Sequence, residues 1–402
     1  MGWYRWASET YPEGMVLQLS PGVYRCSQPL VFDRGNVTIR GAGRLTRIVG
    51  SVKWGTPTQR TWLADIESLQ IVSPEFFTRG NDLMSNDPAI RNATWSSFTG
   101  VGLEAFWAGA TNFRDLRITG FAVGLRAHVG TSRSVFEDVR VEYCTRVGFH
   151  FAGSPAPSAN GNAWLVDCRL RSCEVTSNYD FGMLTEYGYL YDGACAGDQF
   201  LHMCGALHCI IGLKIAEPPA SVPVGYRLNW NVVQSFFDYC RDACIDARGK
   251  AGELSVVASF LGVTGMTAVQ IDRLKVALCT IGALPEPGGP VRSGVYLTEC
   301  RDALVLGNTL KEFGIPIRDT RGRNNHHESN QITSMNDNDP TTVRGVGIKV
   351  EGGSGHVVTS NRVDPKQQVA ALIQVDGAAK VTTTSNVDHL GNPILVASQP
   401  PI

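Results

Sequence analysis

One six-residue phrase recurs in this chain: an apolar residue, any residue, Asp, an apolar residue, Arg and a further apolar residue. It reads FRDLRI at 113–118, FEDVRV at 136–141 and LVDCRL at 165–170. A second phrase follows most copies of the first, and consists of Gly or Ala and then alternating apolar and polar residues. Its copies are GLRAHV (124–129), GFHFAG (148–153), GLKIAE (212–217), AVQIDR (268–273), GVYLTE (294–299) and GIKVEG (347–352), with ACIDAR (243–248) and LIQVDG (372–377) as looser versions.

The spacing of these phrases restricts the fold to a repeat architecture. They recur roughly every 20 to 34 residues from about residue 109 onward, a period typical of solenoids and propellers. Alternation of apolar and polar residues indicates strands with one buried face. Propeller blades need four strands in about 40 residues, and leucine-rich repeats need a regular leucine pattern; neither is present. The sequence therefore predicts an all-β, right-handed parallel β-helix of about eleven coils, stacked about 4.8 Å apart.

The domain organisation follows from where the repeats begin. We expect residues 1–35 to form an N-terminal cap with the first strands, including a short capping helix at Tyr4–Thr10. Residues 36–397 then form the β-helix, with an aromatic-bearing insertion at about 74–108.

Alternation also predicts which side chains point into the coils. In FEDVRV, Asp138 and Arg140 share the outward face, so stacked coils would align the three Asp residues in one column and the three Arg residues in the next. We favour a structural role, in which acid and base columns offset each other's repulsion; the alternative is an arginine track for an acidic polysaccharide. The residues expected inside are Val139, Val141, Leu170, Leu213, Ile271, Ile348 and Val350. The aligned residues are Asp115, Asp138 and Asp167, and Arg117, Arg140 and Arg169.

Late in the chain the first phrase changes into GNTL (307–310), SNQI (329–332), SNRV (360–363) and SNV (385–387). Asparagine at one corner of successive coils can bond from coil to coil through its amide. We therefore expect a ladder with a structural rather than a catalytic role, made of Asn308, Asn330, Asn361 and Asn386.

Composition excludes several classes of protein. A formal net charge of −1 and a pI near 6.7 argue against a nucleic-acid-binding surface. The N-terminus lacks the apolar core of a signal peptide, and no apolar run is long enough to span a membrane, so we expect no Sec-type export and no membrane insertion. Eleven cysteines without a CxxC spacing indicate reduced, buried thiols. We expect no metal and no cofactor.

The segment LSPGVYRCSQPLVF (19–32), followed by VTIRGAGRLTRIVG (37–50), resembles the opening of pectate-lyase-like β-helix proteins, especially phage tailspikes. The resemblance rests on the Pro-Gly-x-Tyr turn and the strand ending in Gly41-Ala42-Gly43. It implies a homotrimer that recognises, and often cleaves, a cell-surface polysaccharide. Relatives usually carry an acidic, Ala-rich helix and often a particle-anchoring head before this strand, whereas Met1 lies just before it here. We therefore expect the anchoring to lie elsewhere or on another chain, a virion anchoring protein. The resemblance implies a protein of the virion, or one released outside the cell by lysis.

Hydrolysis of a glycan needs two carboxylates across the scissile bond. An acid follows the last inward residue in many copies of the second phrase, which predicts an acid column: Glu186, Glu217, Asp246, Asp272, Glu299, Glu351 and Asp376. If Asp246 and Asp272 end equivalent strands on adjacent coils, their carboxyl groups lie about 5 Å apart, the spacing of a retaining pair. Glu217 and Asp272, two coils apart at about 9–10 Å, would instead suit the upper edge of the inverting range. The alternative is that each acid ends its strand and pairs with a basic neighbour.

The segment 235–253 (SFFDYCRDACIDARGKAGE) is the densest in acids and arginines, and the tyrosine-rich 185–193 lies upstream. Aromatic rings stack on sugars and acids bond their hydroxyls, so this combination indicates a carbohydrate site; an aromatic interface is the alternative. The catalytic candidates are Asp242, Asp246 and Asp272, then Asp238 and Glu217. The substrate-binding candidates are Tyr187, Tyr189, Tyr191, Tyr226, Trp230, Arg241, Arg248 and Glu186.

Other functions remain open. A polysaccharide lyase would use a base beside a cation, and the segment 318–329 (RDTRGRNNHHES), interpreted as a polar loop, supplies Arg318, Arg321, Arg323, His326 and His327. A non-catalytic receptor-binding β-helix would need the aromatic residues but not the acids. A free-standing β-helix glycan enzyme, such as a fructotransferase, would explain a missing anchor.

The expected assembly gives a first test. Apolar outer faces need covering, and heterologous contacts around a three-fold axis close without forming fibres. We expect light scattering at working concentration to give three times the 43.6 kDa mass of one chain. The mass of a single chain would contradict the homotrimer.

Overall fold

The computed structural model describes residues 14–58, 61–153, 165–177, 182–193, 195–217, 228–249, 252–283, 293–335, 345–365 and 371–399. They form two compact units, the first made of residues up to Ile210 and the second of residues from Ile211 onward. Each unit is a parallel β-helix whose coils carry short strands on three faces. The capping helix expected at Tyr4–Thr10 lies outside the described residues.

One face of the coils forms a parallel sheet of its own, and we call it the third face. In the first unit its strands are Leu30–Phe32, Val52–Trp54, Val101–Ala105, Val123–His128, Val147–Ala152 and Thr185–Asp192. Its other two faces contain Met15–Gln18, Gly22–Arg25, Val37–Arg40, Thr46–Val49, Asp65–Val72, Asn112–Thr119, Val135–Glu142, Arg169–Arg171, Glu174–Thr176, Cys195–His202 and Gly205–Leu207. Two-residue strands lie at Thr61–Trp62, Ala108–Gly109 and Leu165–Val166, and a 3₁₀ turn at Gly43–Leu45.

In the second unit, the third-face strands are Cys209–Ile215, Ala243–Arg248, Met266–Val269, Ser293–Thr298, Ile315–Thr320, Val346–Glu351, Ala371–Asp376 and Val396–Gln399. The first of these strands begins in the first unit and belongs to the second from Ile211 onward. The first and second faces contain Leu228–Val233, Phe236–Asp238, Glu253–Val257, Phe260–Val263, Leu274–Ala277, Thr280–Ala283, Leu304–Leu306, Thr309–Lys311, His326–Glu328, Gln331–Met335, Ser354–Thr359, Arg362–Pro365, Lys380–Thr384 and Val387–Asp388. The described residues thus place fourteen strands on third faces, more than the expected coil number of about eleven.

Inward side chains of successive coils stack directly on one another. Phe113 lies opposite Phe136 in register, and their rings stack with centroids 4.8 Å apart. Phe151 and Tyr191 stack in the same way at 4.5 Å. Because inward positions keep one register over many coils, the apolar column is continuous within a unit. The predicted interior is confirmed, since Val139, Val141, Leu170, Leu213, Ile271, Ile348 and Val350 are all buried.

The Asp of the recurring phrase lies at a bend between the first two faces. In strands Asn112–Thr119 and Val135–Glu142, Asp115 and Asp138 have φ of 48° and 52°. This left-handed conformation is one that Asp tolerates better than most residues. The predicted alignment of Arg117 with Arg140 is confirmed by their direct pairing.

The third copy of the phrase does not join these columns. Arg169 lies opposite Val135 rather than Arg140, and Leu170 lies opposite Phe136. Asp167 also has a positive φ, of 53°, but it precedes its strand rather than bending it. The prediction of three-membered Asp and Arg columns is therefore wrong for LVDCRL, because similar letters occupy a different corner of the coil.

A helical excursion leaves the first unit after strand Asp65–Val72. Two helices, α1 (Pro74–Arg79) and α2 (Pro88–Ser96), are joined through a 3₁₀ turn at Gly80–Met84. The Ser73 hydroxyl accepts from Phe76 N–H at 2.9 Å and so caps α1. Asp87 caps α2 by accepting from Ala89 N–H at 2.8 Å. None of the helices in the described part of the chain combines the length and apolar character needed to cross a bilayer.

The asparagine ladder of the second unit is confirmed. Asn308, Asn330, Asn361 and Asn386 are buried, and each Oδ1 from Asn330 onward accepts two bonds from the asparagine of the preceding coil. The Nδ2 of Asn330 also donates to Val305 O at 2.9 Å. These amides satisfy main-chain groups that the corner would otherwise leave unpaired inside the coil.

The cysteines behave as small buried residues. Apart from the half-buried Cys26, those whose side chains the structure describes are buried as free thiols. Burial raises the pKa of Cys144 and of Cys168 to about 12, so both remain protonated at neutral pH.

Replacing Asn330 with alanine tests the ladder. The change leaves Asn308 N–H without its acceptor and Asn308 Nδ2 with Val276 O alone in a buried corner, so we expect the free energy of unfolding to fall by about 3 kcal/mol in urea denaturation. Gln331→Ala is the matched control, because Gln331 is its exposed neighbour and should cost less than about 0.5 kcal/mol. Equal losses in both variants would show that the ladder contributes nothing specific.

Candidate functional site

Strand register separates two carboxylates expected side by side. Asp246 lies opposite Lys214 in one neighbouring coil and Thr267 in the other. Strand Met266–Val269 ends at Val269, and the chain bends at Gln270, which has φ 55°. Asp272 therefore lies beyond the strand, where its backbone forms an isolated β-bridge with that of Arg301. The predicted adjacency of Asp246 and Asp272, and their spacing of about 5 Å, is therefore wrong.

The acids also do not form a single column in the second unit. Glu351 lies opposite Thr320, whereas the Asp246 row continues through Tyr296 and Arg318. Glu217 is exposed and lies beyond the end of strand Cys209–Ile215. Because the copies of the second phrase end at different points of the coil, an acid in the same place of the phrase lies at a different place in space.

Asp246 is occupied by structural ion pairs. Asp246 is only 6% exposed, and its carboxylate pairs with Lys214 Nζ and, at 3.1 Å, with Arg248 Nε. Both oxygens are engaged, so Asp246 has no free oxygen for a substrate. Arg248 is likewise committed to this pair.

Most of the predicted aromatic residues are in the core. Tyr189, Tyr191 and Trp230 are 0%, 2% and 6% exposed, so their rings cannot stack on an external sugar. Tyr189 and Tyr191 lie opposite Phe149 and Phe151, which fixes them inward. Their assignment as substrate-binding residues is corrected on this ground.

Three other substrate-binding candidates of the sequence analysis are not excluded by burial. Tyr187 is half-buried, and Glu186 lies 4.0 Å from Arg146 Nε in an exposed pair, so both stay predictions. Tyr226 lies outside the described residues.

The structure does bring aromatic rings and one carboxylate together at 236–239 and 260. Phe236 and Phe260 lie opposite each other on the second faces of adjacent coils and are 36% and 40% exposed. Tyr239, at the following corner, is 37% exposed. We call these three residues the aromatic platform; large exposed rings in register are what a flat sugar-binding surface requires.

Asp238 lies at the edge of this platform. It accepts a hydrogen bond from Tyr239 N–H at 2.8 Å, and it forms no ion pair with the residues that the structure describes. Its carboxylate occupies the space where a side chain at Gly262 would begin. Gly282, opposite Gly262 in the next coil, has open space where its side chain would be, so the surface beside Asp238 is a flat shelf.

Asp242 lies four residues further, directly before strand Ala243–Arg248. Arg241 binds it through two bonds, Nε to Oδ1 at 2.8 Å and Nη2 to Oδ2 at 3.2 Å, and both side chains are more than half exposed. This pairing raises the pKa of Arg241. Four residues span at most about 14 Å, which bounds the separation of the Cα atoms of Asp238 and Asp242.

Sequence reasoning missed Phe236, Phe260 and the glycine shelf. The signal was present in SFFD (235–238), SFLG (259–262) and TIG (280–282), which are second-face strands of three consecutive coils. Aligning them by coil, rather than by phrase, would have placed the two phenylalanines together.

The first unit carries a half-buried charged network on its third face. It comprises Lys53, Glu104, Arg126, His128, His150 and Asp192. Glu104 contacts Lys53 Nζ at 3.4 Å and His128 Nε2 at 3.3 Å, while His150 Nε2 lies 3.0 Å from Asp192. The hydrogen bond with His128 is the largest cause that lowers the pKa of Glu104; burial opposes it and Lys53 assists it. The mutual pairing gives each carboxylate a cationic or histidine partner.

The segment 318–329, interpreted above as a polar loop, is a regular part of two coils. It contains strands Ile315–Thr320 and His326–Glu328. Arg318 pairs with Glu351 at 2.7 Å, and Arg321 pairs with Glu299 at 2.9 Å. The loop interpretation is therefore wrong, and two of its cations, Arg318 and Arg321, pair with acids of neighbouring coils.

A buried polar cluster lies behind this segment, inside the second unit. Asp319 Oδ2 is 2.9 Å from His327 Nε2 and 3.3 Å from His356 Nδ1, and Asn325 Nδ2 donates to both of its oxygens. Burial alone would raise the pKa of Asp319, but the hydrogen bonds and charges of the two histidines outweigh it and hold that pKa far below its usual range. Among the described residues, no group of His, Cys, Asp and Glu has the arrangement of a metal site.

Comparison with known proteins bears on the fold alone. No protein-family model and no curated protein sequence matches this chain. DFA-IIIase from Arthrobacter chlorophenolicus A6, solved without its lid in complex with GF2, has a TM-score of 0.45 and 11% identity over 99% of this chain and 94% of that chain. The Dettilon tailspike protein has a TM-score of 0.39 and 11% identity over 97% of this chain and 63% of that chain. These likenesses are too weak to transfer an activity.

The Asp319 cluster predicts a defined pH dependence of stability. A carboxylate whose pKa is lowered by folding stabilises the fold above its unfolded value of about 3.9, and that contribution is lost as pH falls towards the folded value. We expect Asp319→Asn to destabilise the protein by about 3 kcal/mol at pH 7, because it breaks a buried pair. The difference from wild type should shrink below about pH 4.

Urea denaturation across pH 2.5 to 7 measures this difference. Asp302→Asn is the control, since Asp302 is exposed, with φ 48°, a conformation that Asn also tolerates. A gap between wild type and Asp319→Asn that stays constant below pH 4 would contradict the assignment.

Proposed function

We propose that this protein binds a bacterial surface polysaccharide on the aromatic platform and hydrolyses it with Asp238 and Asp242. The observation that supports this proposal is that exposed, register-paired rings at Phe236 and Phe260 lie beside Asp238, which forms no ion pair with the described residues. Arg241 binds Asp242 four residues further along the chain. Buried carboxylates elsewhere in the described second unit, such as Asp246 and Asp319, are fully engaged by partners.

The two carboxylates differ in surroundings, as an acid and base pair requires. Asp242, held by Arg241, acts as the ionised group that attacks the anomeric carbon or activates a water. Asp238, which has no cationic partner among the described residues, donates its proton to the leaving glycosidic oxygen. The C–O bond breaks, water supplies the new hydroxyl, and a new reducing end forms. Arg241 therefore has a positioning role.

The aromatic platform would bind the chain of sugars on either side of the cleaved bond. A ring face offers apolar contact to a sugar ring without demanding a particular hydroxyl pattern. The shelf at Gly262 and Gly282 lets that sugar approach Asp238 without a side chain in between.

We further propose a homotrimer that attaches to a virion through another chain and acts outside the cell. The tailspike resemblance of residues 19–50 supports this assembly. A receptor-binding protein without catalysis is the second candidate, because the platform itself needs only its rings. The lyase alternative loses support from the pairing of Arg318 and Arg321 with acids.

Substitution of the two carboxylates tests catalysis. On a panel of bacterial surface polysaccharides, we expect Asp238→Asn and Asp242→Asn each to lower kcat by about 10²- to 10⁴-fold, measured as new reducing ends. Phe236→Leu should instead weaken binding, because it keeps apolarity but loses the flat ring. Asp82→Asn is the matched control, since Asp82 is an exposed carboxylate paired with Arg79.

The products and the variants separate the candidate functions. Wild-type rates in both Asp variants would contradict the proposed site. Products that absorb in the ultraviolet would indicate a lyase, and cyclic disaccharides a fructotransferase. Binding that requires Phe236, with no product from any glycan, would indicate a receptor-binding protein.

A further inference from the structure

The first unit contains a cleft that the aromatic platform does not explain. Its floor is the second face of successive coils, where Arg47, Gln70 and Arg117 lie opposite one another in register. Its wall is α1 with the following 3₁₀ turn, which contribute Phe76, Phe77 and Asn81. The cleft has a volume of about 460 Å³, enough for one or two sugar units.

The charge of this cleft is one-sided. Two guanidinium groups line it, and no carboxylate does among the residues that the structure describes. Arg47 Nε donates to Gln70 Oε1 at 3.1 Å, and no described acid pairs with Arg47. Arg117 pairs with Glu142 at 2.7 Å, but that acid is 8% exposed and does not line the cleft.

Phe77 holds Arg47 at the floor. The guanidinium groups of Arg25 and Arg47 lie 4.6 Å and 5.7 Å from the centre of its ring. Two cations on one ring without a carboxylate partner keep their charge available, because the ring attracts but does not neutralise them. A guanidinium in this setting suits a bidentate bond to a carboxylate or phosphate.

The remaining polar groups fit a hydroxylated ligand. Gln70, Asn81, Thr119 and Tyr143 line the same cleft. A tyrosine hydroxyl is protonated at neutral pH and can donate; burial, with Glu142 adding to the effect, raises the pKa of Tyr143 further. A smaller cleft of about 290 Å³ shares Gln70 and Arg117 and adds further residues, which are Arg44, Arg140, Asp115 and Asp138. An oligosaccharide can therefore place one sugar in the larger cleft and a neighbouring sugar in the smaller one.

The wall is packed rigidly against the coils. Phe76 fills the space where a side chain at Gly120 would lie, and Gly120 has φ 79°. Behind it, Leu83, Phe98 and Met183 form a buried cluster that also contacts Tyr143. A cleft already shaped in this way loses little entropy when a ligand binds.

We propose that this cleft binds the anionic group, a carboxylate or phosphate, of an acidic glycan, with Arg47 as its main contact. It is a site distinct from the aromatic platform, and its occupation requires no catalysis. The recurring Asp-x-Arg phrase supplies Arg117 to its floor and Arg140 to the adjoining smaller cleft, so the phrase has a binding role in addition to its role in the bend.

Calorimetric titration with tetragalacturonate, maltotetraose and inorganic phosphate tests the proposal. We expect tetragalacturonate to bind and neutral maltotetraose not to bind. Arg47→Gln should weaken tetragalacturonate binding by about 10- to 100-fold, the loss of a charge-assisted pair, and Arg47→Lys should fall in between. Displacement of tetragalacturonate by phosphate, abolished in Arg47→Gln, would show that carboxylate and phosphate compete for the same site; Arg47-dependent binding of phosphate without binding of tetragalacturonate would favour a phosphorylated glycan.

Arg79→Gln is the matched control, because Arg79 lies on α1, carries the same charge and does not line the cleft. Equal weakening by Arg79→Gln and Arg47→Gln would reduce the effect to net charge and overturn the proposal, as would equal binding of maltotetraose or no binding of any acidic probe. Circular dichroism of each variant checks folding. This binding is measured without turnover, so a failed hydrolase assignment leaves the result unaffected.

Discussion

Stacking in register, coil upon coil, is the constraint on which the rest of the structure depends. Each strand bonds to its neighbours through main-chain groups, and a shift by one residue would turn every inward side chain outward. The ring stacks of Phe113 with Phe136 and of Phe151 with Tyr191 exist because this register is kept. The same register decides which outward residues become neighbours. It therefore builds both the aromatic platform and the cleft lined by Arg47 and Arg117.

The fold was predictable because it depends on alternation, which is visible in a single strand. Val139 and Val141 could be placed inside from FEDVRV alone, and the asparagine ladder from the repeated SN pairs. The sites were harder, because neighbours across coils depend on where each corner bends. Asp272 was misplaced since the chain bends at Gln270, a residue whose left-handed φ no propensity predicts.

Tyr189 and Tyr191 illustrate a second limit. Their strand reads TEYGYLYD, and nothing in its composition distinguishes a tyrosine stacked on a buried phenylalanine from one facing a sugar. Only pairing with Phe149 and Phe151 decides the question. The exposed aromatic residues that form a candidate sugar-binding surface are instead Phe236 and Phe260, whose second-face strands point these rings outward.

The bent corners have a consequence for how portable this architecture is. Many corner residues other than glycine, such as Leu278 and Glu299, hold a left-handed backbone that costs about 1 kcal/mol or more in isolation. Bonds to the coils on both sides offset that cost, for example Leu278 N–H to Leu306 O at 3.0 Å. A single coil transplanted into another scaffold would keep the strain and lose the bonds. The smallest piece that can be grafted is therefore a stack of several coils.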